Sequence, residues 1–495
     1  MPVEALDVHA GKSCLSLSSL FRSRPTRSSR NTSDPNIGLD GRYASKQSNL
    51  SATEESADLE PCIYYGSCCD FAQDESASTS SEWDALPAYS PNPPSNSLSP
   101  EILQTIEDTV DGLDPALRSL SLQIHDHPEL MFEEKFAHDI LSDFMETHGF
   151  TVTRHYLGLD TAWRAEYTHG KGGRTLGINS EMDALPLIGH ACGHNLIAIS
   201  GVGVAIAVKT ALRAHNVSGK VVLLGTPGEE GGGGKIILLQ RGGYKGMDAC
   251  LMCHPSPGIP NSVALASTSA MQSMDVEFFG HSAHAGAAPW EGTNALDAAF
   301  LAYSSVSVLR QQIKPDHRVH GVIQGNNGSA NVIPDYAKMR WFVRAPTRDQ
   351  LVALRQRVQA CFEGAALSTS CRVSIVSGND MYFDLHQNSV LAEDFASTVS
   401  TRFGMRAGSR QKNGASTDFG NVSYELPSIH PSFAIPTQLK GGNHSPPFAE
   451  SARTTEAHKA CMVITKGLAS TGFRVIDDDR FFKKVKEAFR VASME

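Results

Sequence analysis

Three short clusters of metal-liking side chains, each placed directly after a run that reads as a buried β-strand, constrain this chain more than any other feature. They are Glu181-Met-Asp183 leading into His190-Ala-Cys192-Gly-His194, then Glu229-Glu230, then Cys253-His254. Open α/β sheets present their ligand-binding groups in the crevice outside the strand ends, so three clusters at three strand ends can converge on one site. The pattern predicts an α/β fold and a hydrolytic metal centre.

At 495 residues the chain is too long for one ordinary domain. Residues 1–97 are roughly one-fifth serine with little apolar periodicity, a composition that cannot offset the entropy of ordering, and are expected to be a disordered extension. Ser99-Pro100-Glu101 reads as an N-cap followed by proline at the first helical position, so folded structure is expected from residue 98. Helix patterns near 101–124 and 134–148 precede strands at 161–167 and 174–180. A helix near 195–214 and strands at 220–225 and 248–253 follow. This alternation predicts a mainly parallel sheet flanked by helices and built from 98–261 and 380–495. Between them, 262–379 spells β-α-β-β-α-β, the order of a split βαβ (ferredoxin-like) α+β unit, which reads as an insertion. After it come a helix at 388–403, a loop rich in glycine and serine, and a last helix near 452–470.

The formal charge of −10, without long basic blocks, argues against nucleic acid or an anionic membrane as partner and favours a small-molecule substrate. No run of about 18 apolar residues is read in the chain, so no membrane-spanning helix is expected. Ten cysteines at irregular spacings are not a disulfide framework, which points to a reducing, cytoplasmic setting. Arginines 22, 24, 27 and 30 among serines hint at an organelle signal, against which Glu4 and Asp7 speak.

The clusters carry chemistry in different ways. Cys192 and His194 flank a glycine at the mouth of a helix, where thiolate and imidazole can face one ion; a buried thiol beside a structural histidine reads the pair equally well. Glu229 and Glu230 lie between an apolar strand and four glycines, so one carboxylate can reach an ion while its neighbour acts as a base. His254 precedes Pro255, expected to stop its strand, and His444 stands on the loop Gly441-Gly-Asn-His444-Ser-Pro446. Cys192, His194, Glu230, His254 and His444 are too many ligands for one tetrahedral zinc with an open position and suit two ions about 3.5–4 Å apart.

Asp183-Ala-Leu-Pro186, Gly189-His-Ala-Cys-Gly-His194-Asn195, Thr226-Pro-Gly-Glu-Glu230 with its four glycines, Gly280-His-Ser-Ala-His284-Ala285 and Asn331-Val-Ile-Pro334 form a recognisable set. Over residues 100–475 the chain resembles the amidohydrolase branch of the aminoacylase/carboxypeptidase G family of co-catalytic metallopeptidases. The short distance from Asp183 to Cys192 looks like the p-aminobenzoyl-glutamate hydrolase and β-alanyl-lysine dipeptidase subgroup. The resemblance implies two divalent ions, zinc expected with manganese or cobalt possible at the same ligands. It places Cys192 where other branches use a bridging aspartate, with His194, Glu230, His254 and His444 completing the sites and Glu229 as general base. Where relatives have His-x-Asp this chain has Glu181-Met-Asp183, so Asp183 is expected to orient a ligand imidazole and contact of Glu181 with an ion stays open. The inserted unit resembles a dimerisation or lid domain, which implies a homodimer. There His284 matches a histidine that polarises the scissile carbonyl, and Asn331 and Arg344 match positions holding the substrate carboxylate. Ser416 and Asp418 lie on a loop resembling a substrate-facing one. An ordinary water-facing arginine is the competing reading of Arg344.

The implied activity is hydrolysis of the amide bond of a small N-acyl amino acid or dipeptide. Two rivals stand beside it: a thiol hydrolase with Cys192 as nucleophile and His190 or His194 as base, and a catalytically silent binding protein on the same fold.

Overall fold

The computed structural model describes residues 98–324, 328–408 and 414–494; the extension 1–97 lies outside the described residues. Helices α1 (Pro100–Asp126) and α2 (Lys135–Thr147) lead into strands β1 (Thr151–Arg154), β2 (Trp163–His169) and β3 (Thr175–Glu181). Then come α3 (His194–Ala214), β4 (Gly219–Thr226), α4 (Gly234–Gln240), β5 (Ala249–Leu251), β6 (His254–Ser256) and β7 (Ser262–Ala264). The insertion comprises β8 (Ala270–Phe279), α5 (Ala295–Leu309), β9 (Arg318–Gln324), β10 (Tyr336–Ala345), α6 (Arg348–Thr369) and β11 (Arg372–Ser377). The chain closes with α7 (Ser389–Phe403), β12 (Arg406–Gly408), α8 (Phe419–Glu425), β13 (Ser428–Ile429), β14 (Ser432–Ala434), α9 (Pro446–Ala452), α10 (Thr455–Asp477) and α11 (Asp479–Ala492).

Six strands form the main sheet in the order β1-β2-β4-β3-β5-β13. The run β4-β3-β5-β13 is parallel, as expected, while β1 and β2 add an antiparallel edge that makes the sheet mixed. A second, four-stranded sheet, β12-β7-β14-β6, is built from three-residue strands too short to show any period in the sequence. Its presence corrects one reading. The chain leaves the main sheet after Leu251 and His254 opens β6, so Pro255 does not end a strand; it sits inside β6 opposite Phe433. A proline is tolerated there because β6 is an edge strand of this sheet.

The expectation about apolar runs is also corrected. Helix α3 is long and apolar enough to cross a membrane by length and composition, with a mean hydropathy of 1.7 in its most apolar window. That window is 89% buried, and the helix lies among α1, α10 and β3, so its all-round apolar surface is used up inside the protein. The C-terminal region likewise extends past the helix expected at 452–470. α10 runs on to Asp477, and Asp478 caps a further helix, α11, by accepting from the backbone N–H groups of Arg480 and Phe481.

The inserted unit has the β-α-β-β-α-β order and the sheet order β11-β8-β10-β9, antiparallel throughout, with its own core around Phe278, Trp341, Val343, Leu354 and Phe362. Each large sheet stacks an indole over a glycine on the neighbouring strand: Trp163 opposite Gly225 and Trp341 opposite Gly321. A Cβ at either glycine would fall within the indole ring, and both tryptophans are fully buried. Gly225→Ala and Gly321→Ala are each expected to destabilise by about 1–3 kcal/mol through overpacking, read as a lowered unfolding temperature; an unchanged value for either would refute the stacking argument.

Candidate metal centre and catalytic cleft

Strands β4, β3 and β5 are parallel neighbours, so the residues that follow them emerge side by side: Glu229 and Glu230 after β4, Asp183 after β3 and His254 after β5. Helix α3 begins at His194, which sets Cys192 and His194 at its mouth, and the His444 N–H donates to the Ala191 carbonyl, docking a distant loop against them. Cys253, counted with His254 in the sequence, is fully buried and bonds Ser200; it belongs to the core.

Donor atoms of Cys192, His194 and His254 lie within 4.8 Å of one another, and so do those of Cys192, Glu230 and His444. The two triads share Cys192. His194 Nε2 and Glu230 Oε1 are buried without a hydrogen-bond partner, a costly state that a cation would relieve. Cys192 Sγ is 3.3 Å from His254 Nε2, and Glu230 Oε1 is 3.1 Å from His444 Nε2 and 4.0 Å from His194 Nε2. Burial opposes the charge of His194, yet Asp183 and Glu181 outweigh it and raise its pKa to about 10. Burial pulls His254 down to about 4, leaving a neutral imidazole suited to ligation. A strongly negative pocket lined by thiol, imidazole and carboxylate therefore fits two divalent cations.

Asp183 organises this set: Oδ1 meets His194 Nδ1 at 3.1 Å, and Oδ2 accepts the Glu230 N–H at 2.9 Å. The first contact turns His194 Nε2 towards the ligand cluster. Glu229 is pinned on three sides. Glu134 accepts the Gly228 N–H through Oε1 at 2.8 Å, Asp183 holds the next residue, and Tyr382 donates its hydroxyl to the Glu229 carbonyl at 2.9 Å. Tyr382 also exchanges two backbone bonds with Met271 of β8, so it connects this turn to the insertion. Burial, and then the carboxylates of Glu181, Glu230 and Asp418, push the Glu229 carboxyl well up. Such a group holds a proton readily once it has accepted one. The turn needs its glycines, since a Cβ at Gly234 would overlap the Pro227 carbonyl oxygen.

Asp418 requires a correction. It was expected to face substrate, but it is fully buried and does not line the cleft. Its carboxylate takes Lys235 Nζ at 2.6 Å and the Lys235 N–H at 2.9 Å. Lys235, itself fully buried, also reaches Glu181 Oε1 at 2.6 Å, so a lysine sits where the acidic residues would otherwise repel. Glu181 Oε2 stays 3.5 Å from His194 Nε2, with its other oxygen committed to Lys235.

A cleft of about 250 Å³ opens over the ligand cluster. Arg344 of β10 lines it and donates to Ser416 Oγ at 3.1 Å and the Gly414 carbonyl at 3.2 Å, which replaces the water-facing reading of this arginine. His284 and Asn331 are not in this cleft. Both are exposed on the insertion and adjacent to each other, with the Ala285 N–H bonded to the Asn331 carbonyl. His190 bonds the Ile124 carbonyl, so it is turned away from the cluster, whereas His194 keeps Nε2 beside Cys192 while its Nδ1 bonds Asp183. Sequence reading missed Glu134, Lys235, Tyr382 and His430. Of these only Lys235 had a local signal, its place directly after the four glycines.

Among known proteins, the peptidase dimerisation domain family matches residues 267–370. The Xaa-Arg dipeptidase of Mus musculus is 39% identical over 403 residues, covering 78% of this chain and 92% of that protein. The Xaa-Arg dipeptidase of Homo sapiens is 37% identical over 407 residues, with the same coverage of 78% and 92%. A p-aminobenzoyl-glutamate hydrolase polypeptide of Escherichia coli (strain K12) is 29% identical over 472 residues, covering 78% and 94%. The solved structure of a dinuclear metal binding peptidase of the M20 family from Bacillus subtilis shares the fold with a TM-score of 0.59 at 19% identity, covering 74% of this chain and 99% of that one.

Glu134 offers a pH test. Burial, and then Asp183, raise its carboxyl to about 7 from an ordinary 4.5. A carboxyl raised in the folded state favours the protonated form, so its contribution to stability is full below about 4.5 and is lost as pH climbs through about 7. Glu134→Gln should remove that slope. Unfolding temperatures of both proteins between pH 5 and 8 should therefore draw apart in the variant's favour as pH rises, and parallel curves would contradict the assignment.

Proposed function

The chain belongs to the M20 peptidase family and is a metallo-dipeptidase or amidohydrolase, and from that premise we propose that it cleaves small dipeptides with a free carboxylate, arginine-ending ones first among them. The observation that carries this reading is the Glu229-Glu230 turn, held on both flanking amides beside two ligand triads that share Cys192. Cys192, His194, His254, Glu230 and His444 would hold two divalent ions, and thiolate with imidazole favours zinc over manganese or cobalt. When bound, these ions supply the positive charge that acidifies a water and polarises the scissile carbonyl.

Glu229 takes the proton from that water and returns it to the departing nitrogen. Asp183 keeps His194 in the tautomer that leaves Nε2 for ligation. Arg344 meets the substrate carboxylate with its planar fork, Ser416 setting the orientation of the guanidinium. In Glu229→Gln, metal content and unfolding temperature should stay as in the parent while kcat on alanyl-arginine falls by about 10²–10⁴-fold. Near-normal turnover would sink the assignment.

We place the protein in the cytoplasm, on the cysteine reading, and infer that it works as a homodimer. Exposed Phe300 and Val308 on α5 and Val322 on the edge strand β9 support pairing through the insertion. Exposed His284 and Asn331 would then serve the cleft of the partner subunit. Dilution below the dimer constant should abolish activity while circular dichroism stays native; full specific activity in a demonstrated monomer would rule out a shared site.

A further inference from the structure

His430 lines the cleft and is 95% buried, and neither of its ring nitrogens has a hydrogen-bond partner in the protein. Buried imidazoles are normally satisfied, because an unpaired polar group is costly away from water. This one is also held with care. The Gln387 side chain accepts the His430 N–H at 2.8 Å and donates to the His430 carbonyl at 2.9 Å, closing a two-bond clamp. Phe419 presents its ring edgewise to the imidazole at 5.5 Å between centroids, and His254 lies 5.7 Å away. An imidazole offers a lone pair on the ring nitrogen that carries no hydrogen.

The cleft's other groups indicate what the ring meets. Arg344 Nε is buried without a partner and is a cationic donor for a carboxylate. The scissile amide belongs over Glu229 and the ligand cluster. Apart from its side chains, a dipeptide's remaining polar group is its free amine, and among the described residues the cleft's side-chain acceptors without a partner outside the ligand cluster include His430 and the Thr268 hydroxyl. Accordingly we propose that His430 is a substrate-binding residue whose imidazole accepts a hydrogen bond from the free amino group of the dipeptide, which makes the cleft prefer dipeptides to N-acylated amino acids. The inference rests on the dipeptidase reading above.

The test uses full-length, metal-loaded Glu229→Gln protein, in which peptides bind without being cleaved, with and without His430→Leu or His430→Gln. Calorimetry with alanyl-arginine and N-acetyl-alanyl-arginine reads the contact. His430→Leu should weaken alanyl-arginine about tenfold and leave the acetylated peptide unchanged, and His430→Gln should restore most of the difference. Equal weakening of both peptides, or loss of metal, overturns the proposal. A second arm needs no ligand: since the imidazole is unpaired in the free protein, His430→Leu should hold or raise the unfolding temperature, and a clear fall overturns the proposal. Should neither peptide bind Glu229→Gln protein, the dipeptidase reading fails by itself, while the stability arm still decides whether His430 serves the fold or a ligand.

Discussion

One carboxylate holds the site together. Asp183 leaves β3, receives the N–H of Glu230 from the loop after β4, and meets the imidazole of His194 at the start of α3. Three separate elements are locked by two contacts from a side chain with no access to solvent. A buried carboxylate is tolerable only when its oxygens are paired, and here both are, so the expense of burying it enforces the geometry. Without Asp183, Glu230 and His194 would have no common reference.

The electrostatics follow from the same crowding. Glu181, Asp183, Glu229, Glu230 and Asp418 converge in a small volume, and a protein without compensating cations could not keep them ionised. Lys235 supplies fixed compensation at the back, between Glu181 and Asp418. The front, where Cys192, His194, His254, Glu230 and His444 gather, opens on a cleft that no lysine lines among the described residues. The site is thus divided into a sealed half neutralised by the chain and an open half that calls for ions.

Much of this was legible in the sequence, for physical reasons. Apolar runs such as Val221 to Leu224 mark buried parallel strands, and polar clusters at their ends mark the crevice. The inserted β-α-β-β-α-β unit was visible because its strands and helices are long enough to show a period. What stayed hidden depended on partners remote in sequence. Lys235 looks like a surface lysine until Asp418, 183 residues away, is seen beside it. His430 stands between strands of two and three residues, where no periodicity exists to give it a direction. Asp418 misleads because its loop resembles a substrate-facing one in sequence, whereas its role is set by Lys235 behind it. The apolar character of α3 is easily overlooked since scattered Ser200, Gly201 and Gly203 interrupt a helix that is nonetheless apolar on every side.

Tyr382 has one further implication. Its backbone is stitched to β8 of the insertion, and its hydroxyl is bonded to the peptide of Glu229. The ring is nearly fully buried with Ile236 and Met271, in a small apolar knot between the two parts of the molecule. An insertion tied in this way to the carbonyl of the base cannot pivot as an independent flap. Any movement of the insertion would be passed through Tyr382 to the backbone of the proton acceptor, so the position of the one is coupled to the alignment of the other.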